Sequence, residues 1–232
     1  MSKTAKPDPI RSIVIAVDGT AASGKGTLAK KLAAHFGFAH LDSGALYRLT
    51  ALSVLEKNGD PSNEADALKG AQTIDFNRAG DPAIRTDIVG KAASQVAAIP
   101  AVRDALLDFQ QNFLAHPPGG SPGAVMDGRD IGTVICPSAA AKLYVDARLD
   151  IRARRRWTEL KAMGIRRAEQ DVVAELEARD AADKSRPVSP LKQAADADLL
   201  DTSDLGIDAA FAAALALVSP KVDGALKDRH RG

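Results

Sequence analysis

Residues 18 to 27 read Asp18, Gly19, Thr20, Ala21, Ala22, Ser23, Gly24, Lys25, Gly26 and Thr27. A loop bounded by Gly19 and Gly24, with Lys25 directly after it, suits one task above others. Its backbone N–H groups, and those of a first helical turn, have no partners of their own and converge on a polyphosphate. Lys25 adds a full charge that reaches the outer phosphates, and Thr27 offers a hydroxyl to Mg2+. The pattern requires a strand before it and a helix after it. Ile13 to Val17 supplies the strand as an apolar run fit for a buried parallel sheet. From Lys25 onward Leu28, Ala29, Leu32, Ala33 and Phe36 share one helical face. Gly26 weakens that helix by about 1 kcal/mol, a cost read here as room for a second phosphate group. Ala22 implies an ordinary negative φ at its position. The bland alternative is a glycine-rich turn that binds nothing.

Further along, Asp127-Gly128-Arg129-Asp130 follows a second apolar run at residues 124–126. Asp127 stands where a strand-end acid holds Mg2+ through water, although Asp-Gly also suits a simple turn. Arg179, Asp183 and Arg186 fall on one helix face, which Pro187 terminates. They form either a solvated ion-pair ladder, worth about 0.3–0.5 kcal/mol per pair, or a binding face. Between residues 148 and 167 stand Arg148, Arg152, Arg154, Arg155, Arg156, Arg166 and Arg167. Guanidinium forks match phosphate oxygens. A helical hairpin broken at Gly164 and tipped with such groups suits a lid over a nucleotide; the rival reading is a basic patch for RNA.

The chain has 232 residues, enough for one domain with an inserted lobe. Its 31 basic and 30 acidic residues nearly cancel, which argues against nucleic acid or membrane as the main partner. Aromatic residues make up 4%, too few for stacking on single strands. A single cysteine, Cys136, excludes an internal disulfide and fits a reducing, cytoplasmic setting. The first twelve residues lack the apolar core of a signal peptide. The run from Ala209 to Val218 is too short to cross a bilayer.

Periodicity places strands at residues 124–127, 142–146 and 196–201, and a short alternating one at 74–77. Helices are expected on the apolar faces Ala45, Leu49, Leu52 and Leu55; Ile88, Ala92, Val96 and Ile99; and Val102, Leu106, Phe109 and Phe113. Others span 150–163, run from about Ala168 toward Pro187, and use Ile207, Phe211, Ala214, Leu215 and Val218. Strands alternating with helices imply an α/β fold with a parallel sheet covered on both faces. Ligands of such sheets sit beyond the carboxyl ends of the strands, where Asp18, Asp127 and Asp146 collect.

The segments DGTAASGKGT, LDSGALYR, KAASQVAAIPAVRDAL, DGRDIGTVICP and RDAADKSRPVSPL occur in this order. Together they resemble the bacterial cytidylate kinases, within the nucleoside monophosphate kinases, over residues 13 to 205. The resemblance implies a three-layer P-loop kinase fold. A CORE domain would comprise residues 13–57 and 124–219, with a helical LID at about 155–172. An NMP-binding lobe with a shortened insert would span 58–123, between tails at 1–12 and 220–232. It further implies γ-phosphoryl transfer from ATP with Mg2+ to CMP or dCMP. Gly19 through Thr27 would bind ATP. Ser94, Arg103 and Asp130 would address the cytosine, and Ser43 would lie at the same nucleotide. Asp183 and Arg186 would hold the sugar, and Arg48, Arg129 and Arg179 the acceptor phosphate. Lys25, Arg129, Arg179, Arg155 and Arg156 would balance the charge of the two anions, with Thr27 and Asp127 at the metal. A monomer with no nucleic-acid or membrane partner is expected.

Overall fold

The computed structural model describes residue 10 and residues 12–229. In chain order the elements begin β1 (Ile13–Gly19), α1 (Lys25–Phe36), β2 (Ala39–Asp42), α2 (Ser43–Glu56), α3 (Glu64–Gln72), α4 (Asp87–Val96) and α5 (Pro100–Ala115). They continue β3 (Gly123–Gly128), β4 (Ala141–Asp146), α6 (Leu149–Ala162), α7 (Glu169–Ser185), β5 (Asp198–Asp201) and α8 (Ile207–Arg229). Two compact units result, a sheet unit of residues 13–41 and from 122 onward, and a helical unit of residues 42–121. The first unit boundary falls after Leu41, whereas the expected CORE segment runs on to residue 57. The α2 helix packs on α3 and α4 and belongs with the helical unit. The tail expected at 1–12 lies outside the described residues except for Ile10 and Ser12.

In the sheet unit the strand order is β2-β3-β1-β4-β5. The register is parallel, with Asp18 opposite Gly128 and Tyr144, and Asp146 opposite Asp201. All seven residues of β1 are buried, as a strand covered on both faces demands. Ile13, Ile15 and Val17 join Leu28 and Leu32 of α1 and Ala214 and Val218 of α8 in one core. By alternation Val14, Ala16 and Asp18 face the other side. β1 has β3 on one flank and β4 on the other, so a crevice opens at its carboxyl end. The loop 19–24 starts there.

The last helix differs from expectation. The tail foreseen from residue 220 is helical to Arg229, with Pro220 inside it. The stripe Ala210, Ala214, Val218 and Val222 simply continues past the proline, and Val222 is fully buried. At 23 residues, α8 is long and apolar enough to cross a membrane by length and composition, which the shorter run 209–218 concealed. In this fold that stripe is part of the sheet core.

In the helical unit the strand foreseen at 74–77 is instead a 3-10 turn over Phe76–Gly80. The Asp75 carboxylate accepts the Asn77 N–H at 3.0 Å, a local bond that competes with strand pairing. The α4 helix is rotated from the expected face. Val89, Ala92, Ala93 and Val96 are buried while Ile88 is 72% exposed. Likewise α5 buries Arg103 and Gln110, and Phe109 lies at the surface against Phe76.

Candidate active site

The loop after β1 is built chiefly by side chains that turn inward. Gly19 passes so close to β4 that a Cβ would fall 1.9 Å from the Val145 carbonyl oxygen, so no other residue fits. Thr20 is buried and donates to Asp146 Oδ1 at 2.6 Å. Ser23 is buried and donates to the Thr20 carbonyl at 3.0 Å. Their hydroxyls shape the loop, leaving its backbone to meet a ligand. Gly24 takes φ 90° as the cap of α1. Ala22 has φ 59°, against the ordinary value expected for it. An L-residue in that region costs roughly 1–2 kcal/mol, so the neighbouring structure must impose it. Lys25 Nζ reaches the Thr20 carbonyl at 3.5 Å, folded back over the loop mouth. Thr27 is exposed on the first turn of α1.

Asp127 faces this mouth. A methyl group placed on Gly26 would meet Asp127 Oδ2 at 3.4 Å, so the glycine keeps the space beside the carboxylate open. The other oxygen, Oδ1, lies 2.9 Å from His40 Nε2 on β2. The His40 contact helps orient Asp127, and its Oδ2 lies beside the start of α1. An acid so placed, with the Thr27 hydroxyl on the same helix turn, is a donor set of the hard oxygen type that Mg2+ takes.

The three strand-end acids expected on one rim have separate employments. Asp18 is buried, and its two oxygens accept the N–H groups of Ile131 and Gly132, both at 2.8 Å. Burial pushes its carboxyl up to about 7, although these two bonds pull the other way. Those bonds hold the π-helical turn Ile131–Ile135 that follows Asp130. Asp146 is taken by Thr20 and the Ala147 N–H. Asp127, bonded to His40, lies beside Gly26 at the loop mouth.

On α7, Asp183 receives Arg129 Nε at 2.8 Å, with Arg186 at 3.9 Å. Burial alone would raise the Asp183 carboxyl. Arg129, by charge and hydrogen bond, and then Arg179 and Arg186 outweigh it and hold the carboxyl below the usual carboxylate range. Arg129, Arg179, Asp183 and Arg186 therefore form one cluster around a single carboxylate. Three buried guanidinium nitrogens there, Nε of Arg179 and Nε and Nη2 of Arg186, make no hydrogen bond, although both residues have other interactions. Asp130 is buried at the start of the π-helical turn.

The arginine-rich hairpin is α6 and α7 with Gly164 between them. Arg155 is not aimed at the loop mouth. Its guanidinium donates to Thr202 Oγ1 at 3.0 Å and to the Thr202 and Leu205 carbonyls at 2.6 and 3.3 Å. These three acceptors lie in the loop after β5, away from the phosphate role expected of Arg155 from its type. Arg156 pairs with Glu159 one turn on.

In the helical unit Arg48 donates to the Ile84 carbonyl at 2.7 Å and lies over Gly90. Ser94, one turn beyond, donates to the Gly90 carbonyl at 3.3 Å. Arg103 is buried, donates to the Ala97 carbonyl at 3.4 Å and lies over the Tyr47 ring. Ser43 is buried at the first position of α2, which Asp42 caps.

Sequence reasoning missed His40, Arg152 and Asp180. His40 carries no motif signal, because its partner Asp127 is 87 positions away. Arg152 was read only as one of seven arginines in a cationic stretch, yet it is buried against Asp180. The spacing of Asp180 from Asp183 on one helix was the available signal.

A parallel sheet with a glycine-bounded loop from its central strand into a helix, and a strand-end acid facing the helix start, defines a P-loop kinase architecture. A family model described as cytidylate kinase matches residues 15–219. Among curated relatives, the cytidylate kinase of Nitrobacter winogradskyi is 52% identical over 206 residues, 89% of this chain and 95% of that protein. The cytidylate kinase of Rhodospirillum rubrum is 49% identical over 209 residues, 90% and 98% of the two chains. The crystal structure of an uncharacterized protein from Eubacterium ventriosum matches at a TM-score of 0.50 and 12% identity, covering 89% and 98%; this is a likeness of fold alone. The chain belongs to the cytidylate kinase family.

Proposed function

We infer that this chain transfers the γ-phosphoryl group of ATP to CMP or dCMP, giving ADP and CDP or dCDP. The observation that carries the mechanism lies within the sheet unit. An anion cradle at residues 19–27 follows β1, and a triple-arginine cluster follows the adjacent strand β3 through Arg129. Both stand beyond the carboxyl ends of neighbouring parallel strands.

In the reaction an oxygen of the acceptor phosphate attacks Pγ, and the bond from Pγ to the β–γ bridging oxygen breaks. The acceptor's second pKa is about 6, so its oxygen is largely ionised near neutrality and needs no general base. Placement and charge cancellation remain for the protein to supply. The loop amides between Gly19 and Thr27, other than that of Ala21, and the Lys25 ammonium receive the β- and γ-phosphates. Arg129 and Arg179 receive the acceptor phosphate, and Asp183 and Arg186 the sugar. Asp130 accepts the cytosine N4 amino donor and repels the carbonyl that uracil offers there. In the helical unit, Ser43, Arg48, Ser94 and Arg103 are proposed for CMP on the resemblance of their segments to those of the family. Thr27 and Asp127 would hold Mg2+, which when bound neutralises charge on the phosphate oxygens. Arg156 and its hairpin exclude water, without which ATP would be hydrolysed. A cytoplasmic monomer is the expected state.

The alternative class is a nucleotide-dependent switch, which would form ADP regardless of CMP. The test is ADP formation with and without CMP, in the parent and in Lys25→Ala. The proposal expects CMP to be required, and the variant to lose on the order of 10²–10³ in rate. CMP-independent ADP formation, or near-parent transfer by Lys25→Ala, would overturn it.

A further inference from the structure

The left-handed backbone at Ala22 sits beside a residue held from two helices at once. Asp180 on α7 and Arg152 on α6 form a pair at 2.6 Å with side chains 9% and 7% exposed. Asp180 Oδ1 accepts the Ala21 N–H at 3.5 Å, and Arg152 Nη1 donates to the Ala21 carbonyl at 3.2 Å. Both polar groups of one peptide residue at the tip of the cradle are thus gripped by the two partners of a single ion pair. Arg152 is anchored in turn, its Nε donating to the Ala147 carbonyl at 2.8 Å. Ala21 also packs with Ala153, Leu160, Val172 and Leu176 of the same two helices. One helical turn from Asp180, Asp183 receives Arg129. Two buried carboxylates, three residues apart on α7, therefore grip the donor cradle and the acceptor arginine.

We propose that Asp180, with Arg152, is a positioning residue that holds the cradle tip at Ala21 and Ala22 in its phosphate-receiving form and sets it in register with Arg129 through α7. Neither side chain touches substrate. Breaking the pair lets Ala22 relax toward ordinary φ, which turns the loop amides away from the ATP phosphates. The consequence is selective: ATP loses its seat, while the Asp183–Arg129 pair, and with it the acceptor side, persists. This rests on reading residues 19–27 as the ATP cradle.

The test is the separate measurement of ATP and CMP dissociation constants by calorimetry on the full chain, each without the other nucleotide. The variants are Asp180→Asn, Arg152→Lys and Lys25→Ala. Asp180→Asn is expected to weaken ATP by about tenfold or more, since one buried charged hydrogen-bond network is broken, and CMP by less than about twofold. Arg152→Lys keeps the charge but not the fork that spans two carbonyls, so it should show the same split more mildly and serves if Asp180→Asn does not fold. Hydrogen exchange of the peptide spanning residues 18–28 should accelerate in either variant, with β3 and β4 unchanged. Parent-like ATP binding in Asp180→Asn and Arg152→Lys, or equal weakening of ATP and CMP, would overturn the proposal. Failure of the underlying cradle reading is distinct: there Lys25→Ala itself binds ATP as the parent does.

Discussion

Asp18→Asn exchanges a buried acid for a neutral amide of the same shape and isolates one cost of building this site. In the parent, burial raises the Asp18 carboxyl from 3.8 to about 7, with Asp130 adding to the rise and Arg129 and two backbone donors opposing it. An acid raised on folding contributes stability that is complete below its unfolded value and lost as pH climbs through the folded one. The gap is roughly three powers of ten in proton affinity, or about 4 kcal/mol in all. Between about pH 5.5 and 8 the parent should lose roughly 2 kcal/mol relative to the amide variant, because the slope of about 1.4 kcal/mol per pH unit ends near pH 7. Urea unfolding of both proteins at the two pH values reads this directly, and taking the difference cancels the titrating groups that do not interact with Asp18. A difference that stays constant with pH, or grows in favour of the parent as pH rises, would refute the reasoning. At alkaline pH the ionised Asp18 should still hold the loop at residues 129–132 better than the amide does. An amide oxygen accepts one of the two N–H groups, and its NH2 opposes the other.

Asp183→Ala should weaken CMP and leave ATP binding largely intact, measured as separate dissociation constants. It should also cost about 3 kcal/mol at neutral pH, because it strands a largely buried Arg129. Since the Asp183 carboxyl is held low, that contribution is present above the ordinary carboxylate pKa and fades as pH falls through the depressed one, so the two proteins converge in acid. Val222→Ala should cost about 1–2 kcal/mol in chemical unfolding, since Val222 is fully buried beyond Pro220. No loss would return residues 220–229 to the status of a tail.

The sheet was legible in the sequence because its strands are buried runs with acids at their ends, and the cradle because its strand and helix are local to it. The hairpin α6–α7 was legible from its period and from Gly164. Failures have local physical causes. At residues 74–77 an Asx bond won over an alternating pattern, and at Ile88 the Thr86 cap set a phase that put Val89 inward. The arginines were counted by type, but position on α6 decides their fate. Arg155 meets the loop after β5, and Arg152 meets Asp180. The first pairing crosses 47 positions and the second joins two different helices, beyond what spacing along one element reveals. Ala22 was misjudged for the same reason: its neighbour Ala21 is held by two helices that follow it by more than a hundred residues.

The most direct measurement is product identification by phosphorus NMR after incubating the purified chain with ATP, Mg2+ and, separately, CMP, dCMP, UMP and AMP. ADP appearing together with CDP or dCDP, in equal amounts and well ahead of any UDP, is the predicted result. Equal conversion of all four acceptors, or ADP and inorganic phosphate with no nucleoside diphosphate formed from CMP, would contradict it.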